Sequence, residues 1–182
     1  RKQLLEEAGY EFRVITPSPE AECGACSGES PEDFVARMAR QKAEDVAGRL
    51  IGDVARVVIG CDTVAECDGR ILGKPESEDH AREILRLLRG RAHRVLSGLC
   101  LIYVPENILK SGVEETAVEM MPLTDDEIED YLQSDLWIGK AGAFGLQDRT
   151  GWVRVIRGSE SNVVGLPVER LLAMQKNIPI DP

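Results

Sequence analysis

Aromatic residues are scarce: Phe, Tyr and Trp together make up 4% of the 182 positions, while glycine occurs 17 times. That balance disfavours a β-sandwich and favours an α/β chain. Positive charge is also short, with 22 Lys and Arg against 32 Asp and Glu and a net charge of −10. A chain so acidic has no general attraction for nucleic-acid backbone or for anionic membrane, so neither is an expected partner. A phosphate-bearing ligand would need a local basic pocket, or a metal bridging it to carboxylates. No apolar run approaches the roughly 18–20 residues of a membrane helix. No secretory signal pattern, internal repeat or low-complexity tract is visible, and no linker divides the chain. With 43% hydrophobic and 30% charged residues, one globular domain with a real core is expected. The first residue is Arg1 rather than Met, so residues upstream are expected.

The five cysteines are an odd number and form no disulfide framework. Cys61, Cys67 and Cys100 fall in strand-like apolar segments, where buried free thiols are common. Cys23 and Cys26 have CxxC spacing, but a zinc site needs a second pair of ligands, and neither His80 nor His93 is near another CxxC. A redox pair normally opens a helix directly after a strand, whereas this one lies in a loop of Pro, Ser and Gly. Loop cysteines with no shared ligand are the favoured reading, with metal and redox use as alternatives. The composition reads as reduced and cytosolic.

What is present is organised around Val57–Pro75. An apolar, β-branched run suits a buried strand, expected over Val54–Cys61, with Asp62-Thr63 at its C-terminal end. Asp68-Gly69 marks a tight turn, and Lys74 follows on the return. A carboxylate at a strand end is a common place for chemistry in α/β proteins. A plain hairpin with a surface acid and a surface lysine is equally compatible with this stretch alone.

Elsewhere, Lys2–Ala8 reads as a helix closed by Gly9 and Tyr10–Ile15 as a short strand. Ser30-Pro31-Glu32-Asp33 is a strong helix start, with Ser as cap, Pro in the first turn and acids beside the helix dipole. That helix should run to about Gly48, with Lys42 one turn beyond Met38 and pointing partly inward. A second helix spans Glu78–Arg89 and a long strand His93–Val104. A partner strand, Glu114–Met121, is expected across a Ser111-Gly112 turn. Thr124 with Glu127 is a capping box opening a helix to about Gln133. An irregular stretch, Trp137–Asp148, then leads to a strand at Trp152–Ile156 and a last helix at Pro167–Lys176.

Three stretches can carry chemistry. Asp62 can hold a divalent metal or deprotonate a water, with Thr63 beside it as a hydrogen-bond donor. The loop Gly139–Gln147 has glycines that permit close backbone approach to a ligand, and Lys140 adds charge. It is neither a Walker sequence nor a Rossmann fingerprint, and a structural loop is the alternative. Gly158–Pro167 leads polar residues into a helix start that can face an anion, or can simply be a capped helix. If Lys42, Lys74 and Lys140 converge, they supply the basic pocket that an acidic chain needs for a polyphosphate; each alone reads as solvated. His93 reads as a hydrogen-bonded residue at the start of its strand, not a metal ligand. No Ser-His-Asp or Cys-His arrangement is apparent.

Four blocks, in order, resemble the Maf family of nucleoside triphosphate pyrophosphatases. They are Arg1-Lys-Gln-Leu-Leu-Glu-Glu-Ala-Gly9; Glu29-Ser-Pro-Glu-Asp-Phe-Val35 through Ala39-Arg-Gln-Lys42-Ala43; Ile59-Gly-Cys-Asp62-Thr63-Val64 with Asp68–Pro75 and on to Gly98; and Lys140–Gln147 with Ser161–Pro167. The resemblance implies an α/β fold with an elongated mixed β-sheet flanked by helices, similar to inosine triphosphate pyrophosphatases. It implies a single Maf-like domain over residues 1–182, lacking the family's N-terminal strand and Ser-rich loop.

By the same resemblance, Asp62 matches the catalytic proton acceptor or metal-linked acid. Glu20 and Glu22 are candidate partners for a divalent cation, Mg or Mn. Lys42 and Lys74 match positions that bind the triphosphate, Lys140 is a further substrate-binding candidate, and Arg1 matches an arginine of the opening motif. Thr63 and Gln147 match positions associated with preference for dTTP and UTP. Gly139 departs from the acid usual before the loop lysine, and Ser18–Glu22 departs from a usually contiguous acidic pair. The implied activity is hydrolysis of dTTP or UTP, or of modified pyrimidine nucleotides, to the monophosphate and pyrophosphate. A cytoplasmic homodimer is implied with it. The alternative is a nucleotide-binding regulator of cell division without turnover.

Overall fold

The structure is a computed structural model, and it describes residues 1–50, 57–104, 106, 108–148 and 151–176. Five strands form one sheet in the order β2-β1-β3-β4-β5. They are β1 (Val57–Cys67), β2 (Arg70–Leu72), β3 (Ala92–Tyr103), β4 (Ile108–Met120) and β5 (Val153–Arg157). The expected α/β layering is present, a sheet flanked by helices. Each pairing among the described residues is antiparallel.

One face of the sheet carries α2 (Pro31–Arg49). Its start follows from local chemistry: Pro31 occupies the first turn, and the Ser30 hydroxyl accepts the Asp33 N–H at 3.1 Å. Its buried stripe of Val35, Met38, Ala39, Ala43 and Val46 lies on Val58, Val64, Leu96, Cys100 and Ile102. The other face is covered by α1 (Lys2–Glu7), α5 (Glu160–Val164) and α6 (Val168–Gln175) at one end, where Leu4, Leu5, Leu166 and Leu171 meet Cys61, Leu99 and Leu101. At the other end are α3 (Glu78–Leu88) and α4 (Asp125–Leu132). The apolar spacing of α3 buries Ala81, Ile84, Leu85 and Leu88 against Ile128, Tyr131 and Leu132 of α4. The Thr124–Glu127 capping box opens α4 as its sequence requires.

Several expectations are corrected. Asp62 does not end its strand: β1 runs on to Cys67, because Thr63, Val64, Ala65 and Glu66 keep pairing with Ser97, Leu96, Val95 and Arg94. Val54–Arg56, expected to begin that strand, lie outside the described residues. Ser111 and Gly112 are not a turn but sit within β4, opposite Cys100 and Leu99. The Arg170 guanidinium packs over Gly112, 2.5 Å from where a Cβ would stand. Tyr10–Ile15 forms no strand. Its side chains instead anchor it to neighbours, Tyr10 donating to Gln175 at 2.5 Å and Ile15 packing beside Val46 and Val58. The short helix α5, capped by the Ser159 hydroxyl, has no counterpart in the sequence reading. Among the described residues, no helix is long and apolar enough to cross a membrane.

Candidate active site

Two glycines on the α2 face bring the first half of the site together. A Cβ on Gly60 would lie 2.2 Å from the Ala39 carbonyl oxygen, and one on Gly98 would lie 1.9 Å from that of Val35. Gly98 pairs directly with Asp62. Backbone of α2 therefore rests on bare sheet, and the next turn carries Lys42 over β1. Lys42 Nζ donates to Asp62 Oδ1 at 2.7 Å and stands 3.3 Å from Glu22 Oε1. The Lys42 and Asp62 side chains are only 14% and 15% exposed, so this contact is largely shielded from bulk water.

Glu22 arrives through the loop before α2. The Ser18 N–H and hydroxyl donate to the two oxygens of Asp45, at 3.0 and 2.7 Å, and hold the Asp45 carboxyl below the usual range. Ala21 is buried, which seats the turn. Glu20, one position before it, is exposed and has no contact with Lys42 among the described residues.

The second half lies on the opposite face, since consecutive strand residues alternate sides. Thr63 points there. Its hydroxyl lies 2.7 Å from Ser97 Oγ and 3.2 Å from Arg1 Nη2. Arg1 Nε donates to the Gly165 carbonyl at 2.7 Å. Gly165 ends α5 in a left-handed conformation, φ 116°, which glycine adopts without cost. The helix is fixed to the sheet by fully buried Asn162, whose Nδ2 donates to Val95 O at 3.1 Å and Thr116 Oγ1 at 3.0 Å.

Between these groups and the 139–148 loop is a cleft of about 240 Å³. Arg1, Thr63, Lys74, Lys140 and Gln147 all line it, so five of the sequence-predicted residues meet in one cavity. The loop is anchored twice. Gly142 N–H donates to Gly73 O at 3.1 Å, next to Lys74. Lys140 pairs with Asp148, whose carboxylate also accepts the Tyr131 hydroxyl at 2.7 Å and the Gly145 N–H at 3.1 Å. Burial and that carboxylate push the Tyr131 phenol up, so it stays a donor.

The two halves join around an edge. β2 pairs only with Ala65–Cys67 of β1, so among the described strands Val57–Val64 has no neighbour on the side away from β3. Asp62, Lys42 and Glu22 lie on one side of this open edge; Thr63, Arg1 and Lys74 lie on the other. An extended anion laid across the edge would meet both sets.

Sequence reasoning missed the place of His93. The residue makes the expected hydrogen bond, Nδ1 to Arg91 O at 3.4 Å, but it also lines the cleft. The signal was the alternation of His93, Val95 and Ser97 on one strand face, which reveals a site only once Ser97 is known to pair with Thr63.

The donor set fits a hard divalent cation. Two carboxylates, Asp62 and Glu22, converge on one ammonium, the kind of charge that a metal also carries. Among the described residues no group of three or more Asp, Glu, His or Cys converges. Mg²⁺ commonly takes one or two carboxylates and completes its shell with substrate phosphates and water, as these residues would require.

A family model described as Maf-like protein matches residues 1–178. A dTTP/UTP pyrophosphatase of Rhodopirellula baltica is 49% identical over 178 residues, covering 97% of this chain and 77% of that protein. One from Carboxydothermus hydrogenoformans is 40% identical over 172 residues, 94% of this chain and 89% of that protein. One from Bacillus cereus is 38% identical over 182 residues, 100% of this chain and 92% of that protein. Together with a cleft in which the motif residues meet, these matches show that the chain belongs to the Maf family.

Proposed function

We propose that this chain is a nucleoside triphosphate pyrophosphatase that hydrolyses dTTP and UTP to the monophosphate and pyrophosphate. Modified pyrimidine nucleotides fall within the same proposal. The observation that carries it is the open edge of β1, with Asp62 and Lys42 on one side and Thr63, Arg1 and Lys74 on the other. The curated relatives, named dTTP/UTP pyrophosphatases, support the substrate.

In this reading the polyphosphate crosses the edge and the base lies in the cleft. Asp62 accepts a proton from a water aligned on the α-phosphorus. The bond to the bridging oxygen breaks, and pyrophosphate leaves with the electron pair. Lys42, Lys74 and Arg1 hold the charge that develops on it. Lys140, paired with Asp148, lines the cleft and holds its loop in place, and Thr63 and Gln147 contact the sugar or base. A divalent cation, Mg²⁺ or Mn²⁺, held by Asp62 and Glu22, would neutralise the polyphosphate and favour an attacking hydroxide. Glu20 has no part in this proposal. The homodimer and cytoplasmic location implied by the resemblance belong to it, and light scattering on the purified chain tests the first.

The experiment is pyrophosphate release from a panel of nucleoside triphosphates with Mg²⁺ or Mn²⁺. Turnover of dTTP and UTP above the purine triphosphates is expected. No release from either pyrimidine substrate would overturn the proposal.

A further inference from the structure

The lining of the cleft includes a polar group that the reaction does not use. His93 is 8% exposed and lines the cavity. Its Nδ1 lies 3.4 Å from the Arg91 carbonyl oxygen. A carbonyl can only accept, so Nδ1 carries the proton. Burial lowers the tendency of the ring to take a second proton. Glu66, the nearby carboxylate that would oppose this, is engaged by Arg94 Nε at 2.6 Å and by the Gly69 N–H at 2.6 Å. Nε2 is left with a lone pair and has no protein partner among the described residues.

The surroundings define what can meet that lone pair. Val95, Val118, Met120 and Leu88 also line the cleft, apolar side chains against which a flat ring can pack. Along β3, His93 and Ser97 share a face four residues apart, about 13 Å at strand rise, and Ser97 is the hydroxyl at Thr63. A nucleotide with its phosphates at Lys74 and Arg1 and its sugar at Thr63 would extend its base toward His93.

We infer that His93 is a specificity-determining residue whose unprotonated Nε2 accepts the ring imide N–H of uracil or thymine. Cytosine presents a lone pair at the same ring position. Binding it would set two acceptors against each other and leave both unpaired in a buried site. This inference rests on the proposed pyrophosphatase activity, and from it follows a preference of the cleft for UTP over CTP set at one atom.

The test compares UTP, N3-methyl-UTP and CTP as substrates for the wild-type chain, His93→Phe and His93→Gln. The wild type is expected to favour UTP over both analogues by about ten- to a hundredfold in kcat/KM. His93→Phe should bring the UTP-to-CTP ratio close to one, chiefly by losing UTP. His93→Gln, which offers both a donor and an acceptor, should raise CTP relative to wild type. Calorimetry with UMP and CMP reads the same discrimination without turnover. If the wild type hydrolyses no triphosphate, the pyrophosphatase reading fails, while a UMP preference lost in His93→Phe would still support this inference. N3-methyl-UTP turned over as well as UTP would overturn it, as would an unchanged UTP-to-CTP or UMP-to-CMP ratio in a folded His93 variant.

Discussion

Replacing Gly98 by alanine should damage both stability and activity. The added methyl would stand 1.9 Å from Val35 O, 2.3 Å from Val35 C and 2.8 Å from Ala36 N. All three are backbone atoms of α2, so no rotamer change relieves the clash. Ordinary contact begins near 3.4 Å, so the helix must retreat by about 1.5 Å, or the central strand must buckle at the residue opposite Asp62. Overpacking against fixed backbone costs about 3 kcal/mol, the upper part of the usual range. For a chain of this size that corresponds to a fall in Tm of about 6–12 °C. The retreat also loosens the 2.7 Å contact between Lys42 and Asp62, so kcat should fall further than the unfolded fraction explains. Urea denaturation and pyrophosphate release at a temperature where the variant is folded measure the two effects. Gly48→Ala is the control: it lies in the same helix with nothing within 4 Å of its added Cβ, and should be neutral or stabilising by up to about 1 kcal/mol. Equal stability of Gly98→Ala and wild type would refute the reasoning that bare backbone seats Lys42.

Two further outcomes follow from polar contacts. Asp148→Asn removes the charge that meets Lys140, Tyr131 and the Gly145 N–H. It should cost about 1–3 kcal/mol and raise KM for dTTP more than it lowers kcat, as the loop carrying Gln147 loosens; unchanged stability and KM would count against this. Glu29 is held down to about 2 by two hydrogen bonds from Arg37 and one from the Cys26 N–H. The folded state therefore binds fewer protons than the unfolded one, so stability rises with pH between about 2 and the ordinary glutamate value of 4.5. In Arg37→Met, NMR titration should find Glu29 nearer that ordinary value, and the acid-side gain in stability should shrink.

How much of this was legible depended on whether the determining contacts were local. The starts of α2 and α4 are written in a few adjacent residues, Ser30-Pro31 and Thr124–Glu127, and they form where expected. The Asp68-Gly69 turn is likewise local, with both residues at positive φ. The end of β1 was not legible, because it is set by pairing with β3 rather than by composition. Gly112 looked like a turn residue, but it pairs with Leu99 in the middle of β4, a placement set by strand register. Lys42 could be placed inward from its distance to Met38, whereas its two carboxylate partners lie on a loop and a strand far apart in sequence. His93 was read by its own neighbours; its place in the cleft depends on strand register. The partner of Lys140 was hidden by its lying eight residues along an irregular loop.

The central claim is that Asp62, held by Lys42 at the open edge of β1, removes the proton from the attacking water. The most direct measurement is pyrophosphate release from dTTP by Asp62→Asn, alongside calorimetric dTTP affinity for the same variant. A loss of about 10²–10⁴ in kcat, in a folded variant that still binds dTTP, is the predicted result. Near wild-type turnover by Asp62→Asn would contradict it.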